Sequence, residues 1–304
     1  MGRADGVEKE AREVLHVAGA VGRRADPTAN GYPVRVPIHA LMRLLAAIFL
    51  LLLALPTSAQ ERGLLLVPDR VFDGEAMQEG WAVLVRADTI AAAGPGLAAA
   101  GAVVMPLPGT TLLPGLIEGH SHLLLHPYDE AGWTEQVLNE SVAERVARGV
   151  VHAEAGLMAG WTTTRDLGSE GAGYADVGLR DAIDKGVIPG PRLLVAGPAI
   201  VATGSYGPKG FRPDMEVPLG AQEADGVDLV RVTREQIGGG ADWVKLYADY
   251  RWGPSGEARP TFSEDEIRMV VETAASSGRD VVAHDGCRRV ALGLSAPRAR
   301  TTRP

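Results

Sequence analysis

The sequence predicts an α/β protein: a TIM-like (β/α)8 barrel, incomplete at about five strands, behind a small N-terminal β domain. Three observations carry this reading. From residue 111 onward, apolar strand-like runs alternate with helical patterns, the signature of a parallel sheet. Several of those runs end in ionisable residues, as barrel strands do at their active face. The first run is followed by His-Ser-His, where a doubly wound fold usually carries a Gly-rich phosphate turn. Five such strands occupy about 190 residues and eight would need roughly 300, so the chain holds about five-eighths of a barrel.

Taken in order, the chain begins with a polar stretch at 1–41 that contains Arg23, Arg24 and several Pro and Gly. It reads as a disordered extension, or as a gene-model extension ahead of a true start at Met42. Residues 42–59 then place Arg43 before an apolar core at 44–55 and the small residues Thr57 and Ala59. That is the pattern of a secretory signal peptide, so export to the periplasm or the exterior is expected, with Gln60 as the first mature residue. A buried core helix is the plainer alternative. The apolar core is shorter than the ~17–25 residues of a spanning helix, so no stable membrane span is expected.

The 304 residues are 46% hydrophobic and 22% charged, enough for one large domain and a small one. A net charge of -8 argues against a nucleic-acid partner. Cys287 is the single cysteine, which rules out an intrachain disulfide framework or a Cys-rich zinc site.

Residues 60–110 form the expected small β domain. Short strands are predicted at 64–67, 71–72, 81–86, 89–93 and 102–105, separated by Asp73-Gly74, Glu79-Gly80, Gly94-Pro95-Gly96 and Pro108-Gly109. The Ala/Gly run at 91–101 reads as a loop. Residues 111–304 form the expected partial barrel, with strands at 111–117, 161–165, 192–196, 242–247 and 280–284. Helices are predicted at 134–158, 174–185, 222–238 and 263–277. The last has Ser263 as N-cap, three acidic residues in its first turn and Gly278 beyond its end.

The chemistry begins at Thr111-Leu-Leu-Pro-Gly-Leu-Ile-Glu-Gly-His-Ser-His122. Residues i and i+2 of a strand share a face, so His120 and His122 can aim two imidazoles at one point. Alternation places Glu118 on the face of His120, as an orienting or a structural residue. Lys245 lies inside the apolar run Trp-Val-Lys-Leu-Tyr. Burying it requires a partner or a neutral form. A salt-bridged or snorkelling lysine is the plain reading. A Schiff-base lysine and a metal-ligating carbamate are the chemical ones, and the His pair favours the carbamate. Tyr247 shares the face of Lys245 and can donate to a substrate oxygen. His284 ends the strand Asp-Val-Val-Ala-His as a third histidine at the same end of the sheet. His126 and His152 read as loop and packing residues. Arg165 and Asp166 are a mouth pair or a turn cap, and the Gly-rich 203–210 stretch reads as a loop shaping a substrate pocket.

These residues resemble the amidohydrolase superfamily, on the branch of imidazolonepropionase-like enzymes and Xaa-Pro or Xaa-Arg dipeptidases. The resemblance runs from about residue 62 to 284. It rests on the 111–122 stretch, Gly-Trp-Thr-Thr-Thr-Arg-Asp-Leu-Gly, Val-Lys-Leu-Tyr and Val-Val-Ala-His. It implies a metal-dependent-hydrolase barrel with one or two divalent cations, zinc first, held by His120, His122, carboxylated Lys245 and His284. It implies a metal-bound hydroxide that attacks the C–N bond of a dipeptide or related small amide, and a homo-oligomer in full-length members. Two departures stand out. Glu118 replaces the family's Asp before His-x-His. The family's further His and its proton-shuttling Asp have no counterpart after His284, where the resemblance fades. A truncation or frameshift near 285–294 is therefore expected, leaving the chain as written without hydrolase activity. The competing functions are a non-catalytic binder of small molecules and a Schiff-base aldolase using Lys245.

Overall fold

The structure is a computed structural model that describes residues 63–212, 214–251, 254–284 and 299–302. Residues 1–41, the leader expected at 42–59, Cys287 and the 285–294 stretch lie outside the described residues. Among the described residues, no helix is long and apolar enough to cross a membrane.

Five strands cover the first part: β1 (Leu64–Phe72), β2 (Met77–Glu79), β3 (Trp81–Arg86), β4 (Thr89–Pro95) and β5 (Val103–Leu112). β4 runs through residues that the sequence reads as loop; its small side chains are no bar to an extended backbone. Contacts divide the chain into two compact units. In the first, the described residues are 63–65, Leu84–Ala92 and Ala98–Val104. There the two residues Ala87 and Asp88 turn β3 into β4, with Ala87 in the left-handed region at φ 51, as a tight hairpin demands.

The second unit holds the remainder. Its β1–β2 hairpin pairs Arg70 with Glu79 and Phe72 with Met77. The Asp73 carboxylate fixes that turn by accepting the N–H groups of Glu75 and Ala76 (2.9 and 2.8 Å).

The βα part follows as β6 (Leu116–Ser121), α1 (Trp133–Asn139), α2 (Val142–Met158), β7 (Trp161–Asp166), α3 (Ala175–Asp184), β8 (Arg192–Val195), β9 (Ile200–Val201), β10 (Gln222–Glu223), α4 (Asp228–Gly238), β11 (Trp243–Tyr247), β12 (Asp249–Tyr250), β13 (Arg259–Pro260), α5 (Glu264–Ser276), β14 (Asp280–His284) and β15 (Ala299–Thr302). One parallel sheet runs β6-β7-β8, and another runs β10-β9-β11-β14-β15. Asp242 links the two, because its N–H donates to the Val195 carbonyl (2.8 Å) and its carboxylate accepts the Val195 N–H (3.0 Å). The spatial order β6, β7, β8, β11, β14 is therefore the chain order of the βα units, as in an incomplete barrel.

Alternation then sorts the side chains. Val244 and Leu246 of β11 and Val281 and Ala283 of β14 pack against Leu229 and Val232 of α4 and Ile267 and Val270 of α5. Lys245, Tyr247, Val282 and His284 are left for the opposite face.

Three expected elements are redrawn. The strand expected at 111–117 is broken by Leu113-Pro114-Gly115, and the barrel strand starts at Leu116. Proline lacks the N–H a strand needs, and a Cβ at position 115 would overlap the Thr162 side chain. The single helix expected at 134–158 is two, because the Ser141 hydroxyl accepts the Glu144 N–H (3.2 Å) and caps a new one. The helix expected at 222–238 begins only at Asp228, after Gly226 takes φ 52 and donates to Glu266 (3.0 Å). The Ser263–Glu266 capping box of α5 forms as its sequence pattern requires.

Candidate metal centre

The His-x-His pair sits on a bulge. Glu118 pairs with Thr164 and Ser121 with Asp166, so β6 carries one extra residue between them. Simple alternation from Glu118 to His120 therefore fails. Glu118 turns its carboxylate onto the backbone N–H of His120 (2.9 Å) and fixes the bulge rather than an imidazole. Arg165 donates to the freed Gly119 carbonyl (2.8 Å) and lies over the Trp243 ring (4.7 Å).

The bulge delivers both rings to one place. The His120 and His122 ring centres are 5.3 Å apart, and His284 is 6.4 Å from His120. Two imidazoles sharing one tetrahedral zinc ion hold their centres roughly 5 Å apart. Nδ1 of His122 meets the Gly168 carbonyl at 2.9 Å. A proton there leaves Nε2 with its lone pair free, which is how a ligand histidine is set.

β11 and β14 bring the other two residues. Their register places Lys245 opposite Val282 and Tyr247 opposite His284. The Tyr247 and His284 rings stack with centres 5.0 Å apart at 20°. Lys245 is fully buried, its Nζ lies 5.3 Å from the Tyr247 ring, and neither Nζ nor His284 Nδ1 has a hydrogen-bond partner among the described residues. Burial, then the Lys245 charge, pushes His120 down to about 3. The same two causes lower His284. Burial pushes Lys245 down to about 8. All three donors are thus driven towards their neutral forms. Neutral imidazole is the metal-binding form, and a neutral amine is the form that adds carbon dioxide. Among the described residues, no three His, Cys, Asp or Glu side chains form a metal-holding group by themselves. The orphaned Nζ of Lys245 is a donor of a different kind, and with it the set fits a divalent cation.

Sequence reasoning missed the carboxylate at the centre of the surrounding network. Glu170 is buried and accepts from Trp133 Nε1 (2.8 Å), Tyr206 OH (2.8 Å) and Tyr247 OH (3.2 Å). Its backbone sits at φ 50, a left-handed conformation that costs roughly 1–2 kcal/mol outside glycine. Arg145 pins that turn by donating to the carbonyls of Leu124, Ser169 and Glu170 (3.1, 2.9 and 2.8 Å). Gly-Ser-Glu-Gly matches no motif, so only the three-dimensional structure reveals it. Tyr206 comes from the expected 203–210 mouth loop.

The remaining expected residues fall elsewhere. Asp166 is a buried turn cap for the N–H groups of Leu123 and Gly168 (2.9 and 3.4 Å), and burial with nearby Asp176 raises its pKa. His126 is clamped between Glu130 and Glu140 (3.2 and 3.0 Å). His152 bonds the Leu123 carbonyl (2.9 Å). A cavity of about 460 Å³, lined by Ser121, His122, His126, Tyr128 and His152, opens beside the His pair. The larger cavity of about 690 Å³, lined by Tyr174, Leu219 and Glu235 among others, is lined by none of the histidines.

A parallel β/α sheet with three histidines at its strand ends and a buried lysine on the same face defines an incomplete barrel of the metal-dependent-hydrolase type. The chain belongs to the amidohydrolase family, whose model matches residues 111–286. It is 32% identical over 197 residues to the ochratoxinase of Aspergillus niger, covering 57% of this chain and 38% of that protein. A prolidase solved with N-methylphosphonate-L-proline is 27% identical with a TM-score of 0.66, covering 76% of this chain and 58% of that one. A solved amidohydrolase is 29% identical with a TM-score of 0.61, covering 73% of this chain and 56% of that one. The chain thus spans about two-fifths of the length of the curated relatives it matches, 38% and 40% of two of them.

Proposed function

We propose that these residues are the metal-holding part of a hydrolase that cleaves the C–N bond of a dipeptide or related small amide. The observation that carries this is the buried Lys245 Nζ, without a hydrogen-bond partner among the described residues, on the same sheet face as His284 and beside the paired imidazoles of His120 and His122. His120, His122 and His284, with Lys245 as a carbamate, would hold one or two divalent cations, zinc first. The bound metal supplies a polarised carbonyl and an activated water. Neutral imidazoles offer their lone pairs at neutral pH, and the Gly168 carbonyl keeps His122 in one tautomer. The Tyr247 hydroxyl, held by Glu170 at 3.2 Å, can turn its proton towards a substrate oxygen. The similarity to a prolidase and to an ochratoxinase supports an amide substrate. Residues 42–59 would export the protein, and a mature N-terminus at Gln60 by mass spectrometry tests that part.

A second reading, an imine-forming lysine, draws on the same lowering of Lys245 to about 8. Two measurements separate the readings. The zinc-loaded chain should bind an N-phosphonyl amino acid, a tetrahedral mimic of amide hydrolysis, and EDTA or His122→Asn should abolish binding. Borohydride with small carbonyl compounds should leave Lys245 unmodified. A borohydride-trapped adduct on Lys245 without metal overturns the hydrolase reading.

A further inference from the structure

Glu170 touches four separate segments, and in the chemistry described above it appears only as the group that holds Tyr247. It gathers Trp133 from α1, Tyr206 from the loop after β9, Tyr247 from β11 and, through Oε1 at 3.7 Å, His122 Nδ1 just past β6. Three donors occupy most of the four lone-pair positions of a carboxylate. With 2% of its surface exposed, the residue has no face left for substrate. Such a group acts through its neighbours.

The turn that carries it serves the same neighbours. Gly168 offers its carbonyl to His122 Nδ1, and two residues later Glu170 presents a negative charge to the same nitrogen. Gly168 has φ 151 and Gly171 φ 93, so the turn is built from conformations that side-chain-bearing residues avoid. Arg145 holds the carbonyls of Ser169 and Glu170 from below. Tyr247, the other client, stacks on His284.

We infer that Glu170 is a positioning residue: its carboxylate, on the Gly168–Gly171 turn braced by Arg145, fixes His122 and Tyr247 around the metal centre. This rests on the metal-centre reading above. A carboxylate beside the non-ligating N–H of a histidine orients the ring and raises its basicity. The three hydroxyl and indole donors fix the carboxylate in turn.

The test is zinc affinity, measured by competition with a chromophoric chelator on the full chain, well below each variant's metal-free unfolding midpoint. Glu170→Gln keeps the shape but, with its amide oxygen left on Trp133 and Tyr206, places an NH2 group at the Oε1 position that faces Tyr247 and His122 Nδ1. Zinc affinity should fall tenfold or more, while the metal-free circular dichroism is unchanged. The side-chain nitrogen resonances of His122 should shift with the loss of the neighbouring carboxylate, while the Gly168 carbonyl keeps the tautomer. Should Glu170→Gln fail to fold, Glu170→Asp keeps the charge and withdraws it by one methylene, and the same tenfold loss is expected. Wild-type affinity in a folded variant, even one with a lowered unfolding midpoint, overturns the inference alone and leaves Glu170 a purely structural residue. A wild-type chain that takes up no zinc overturns the metal-centre reading and this inference with it.

Discussion

Lys245→Met should make the metal-free protein more stable. Lys245 is fully buried, its Nζ has no hydrogen-bond partner among the described residues, and burial lowers it from 10.5 to about 8. Between those values the unfolded chain binds the proton and the folded chain does not. Stability therefore rises with pH from about 8 to about 10.5, and the whole cost is present at pH 7. At 1.36 kcal/mol per pH unit the gap amounts to about 3 kcal/mol. Methionine fills a similar volume without a charge to desolvate. Urea unfolding of EDTA-treated protein in carbonate-free buffer, followed by tryptophan emission, should give the variant about 2–3 kcal/mol more stability at pH 7. The two proteins should converge only above about pH 10.5. Zinc uptake should move the opposite way and vanish in the variant, because the group that weakens the empty fold is the one proposed to hold the metal. A variant less stable than wild type at pH 7 would refute the reasoning, since Lys245 would then have a favourable partner in the folded state.

Other perturbations reach other parts of the structure. His120, lowered to about 3, stays neutral in the fold while the unfolded chain protonates near 6.5, and His284 is lowered in the same direction. The metal-free unfolding midpoint should therefore fall as pH drops from 6.5 towards 3, and His120→Asn should flatten that slope; an unchanged slope contradicts it. Arg145→Met removes three buried hydrogen bonds to the carbonyls of Leu124, Ser169 and Glu170. It should cost about 3–5 kcal/mol in urea unfolding, and a loss under about 1 kcal/mol would contradict the bracing role. Gly115→Ala places a Cβ in the space of the Thr162 side chain. It should destabilise by about 1–3 kcal/mol, and Thr162→Gly in the same chain should restore much of the loss.

The local pattern exposed most of the candidate metal centre, because its histidines sit at or just past strand ends and Lys245 interrupts an apolar strand. Strand periodicity placed Lys245 and Tyr247 on one face, and the observed register sets Tyr247 against His284. Periodicity failed at Glu118, where a bulge inserts one residue and redirects the carboxylate to the backbone. A bulge depends on the partner strand, here Thr164 to Asp166, and one strand's sequence does not encode it. Pro114 was a visible breaker, yet the apolar run around it read as one strand. Ser141 and Gly226 were local stop signals hidden inside longer helical patterns. Glu170 left no trace for a different reason. Its partners Trp133, Tyr206 and Tyr247 are 37, 36 and 77 residues away, so only the fold assembles the network that gives the residue meaning.

The decisive measurement is the metal content of the chain after dialysis against zinc and 13C-bicarbonate, read together with its carbon NMR spectrum. One to two zinc ions per chain are expected by family resemblance, with a carbamate carbon signal, and both should disappear in His122→Asn and in Lys245→Met. A chain that takes up no zinc, or that keeps its zinc in both variants, contradicts a metal centre built on His120, His122, Lys245 and His284.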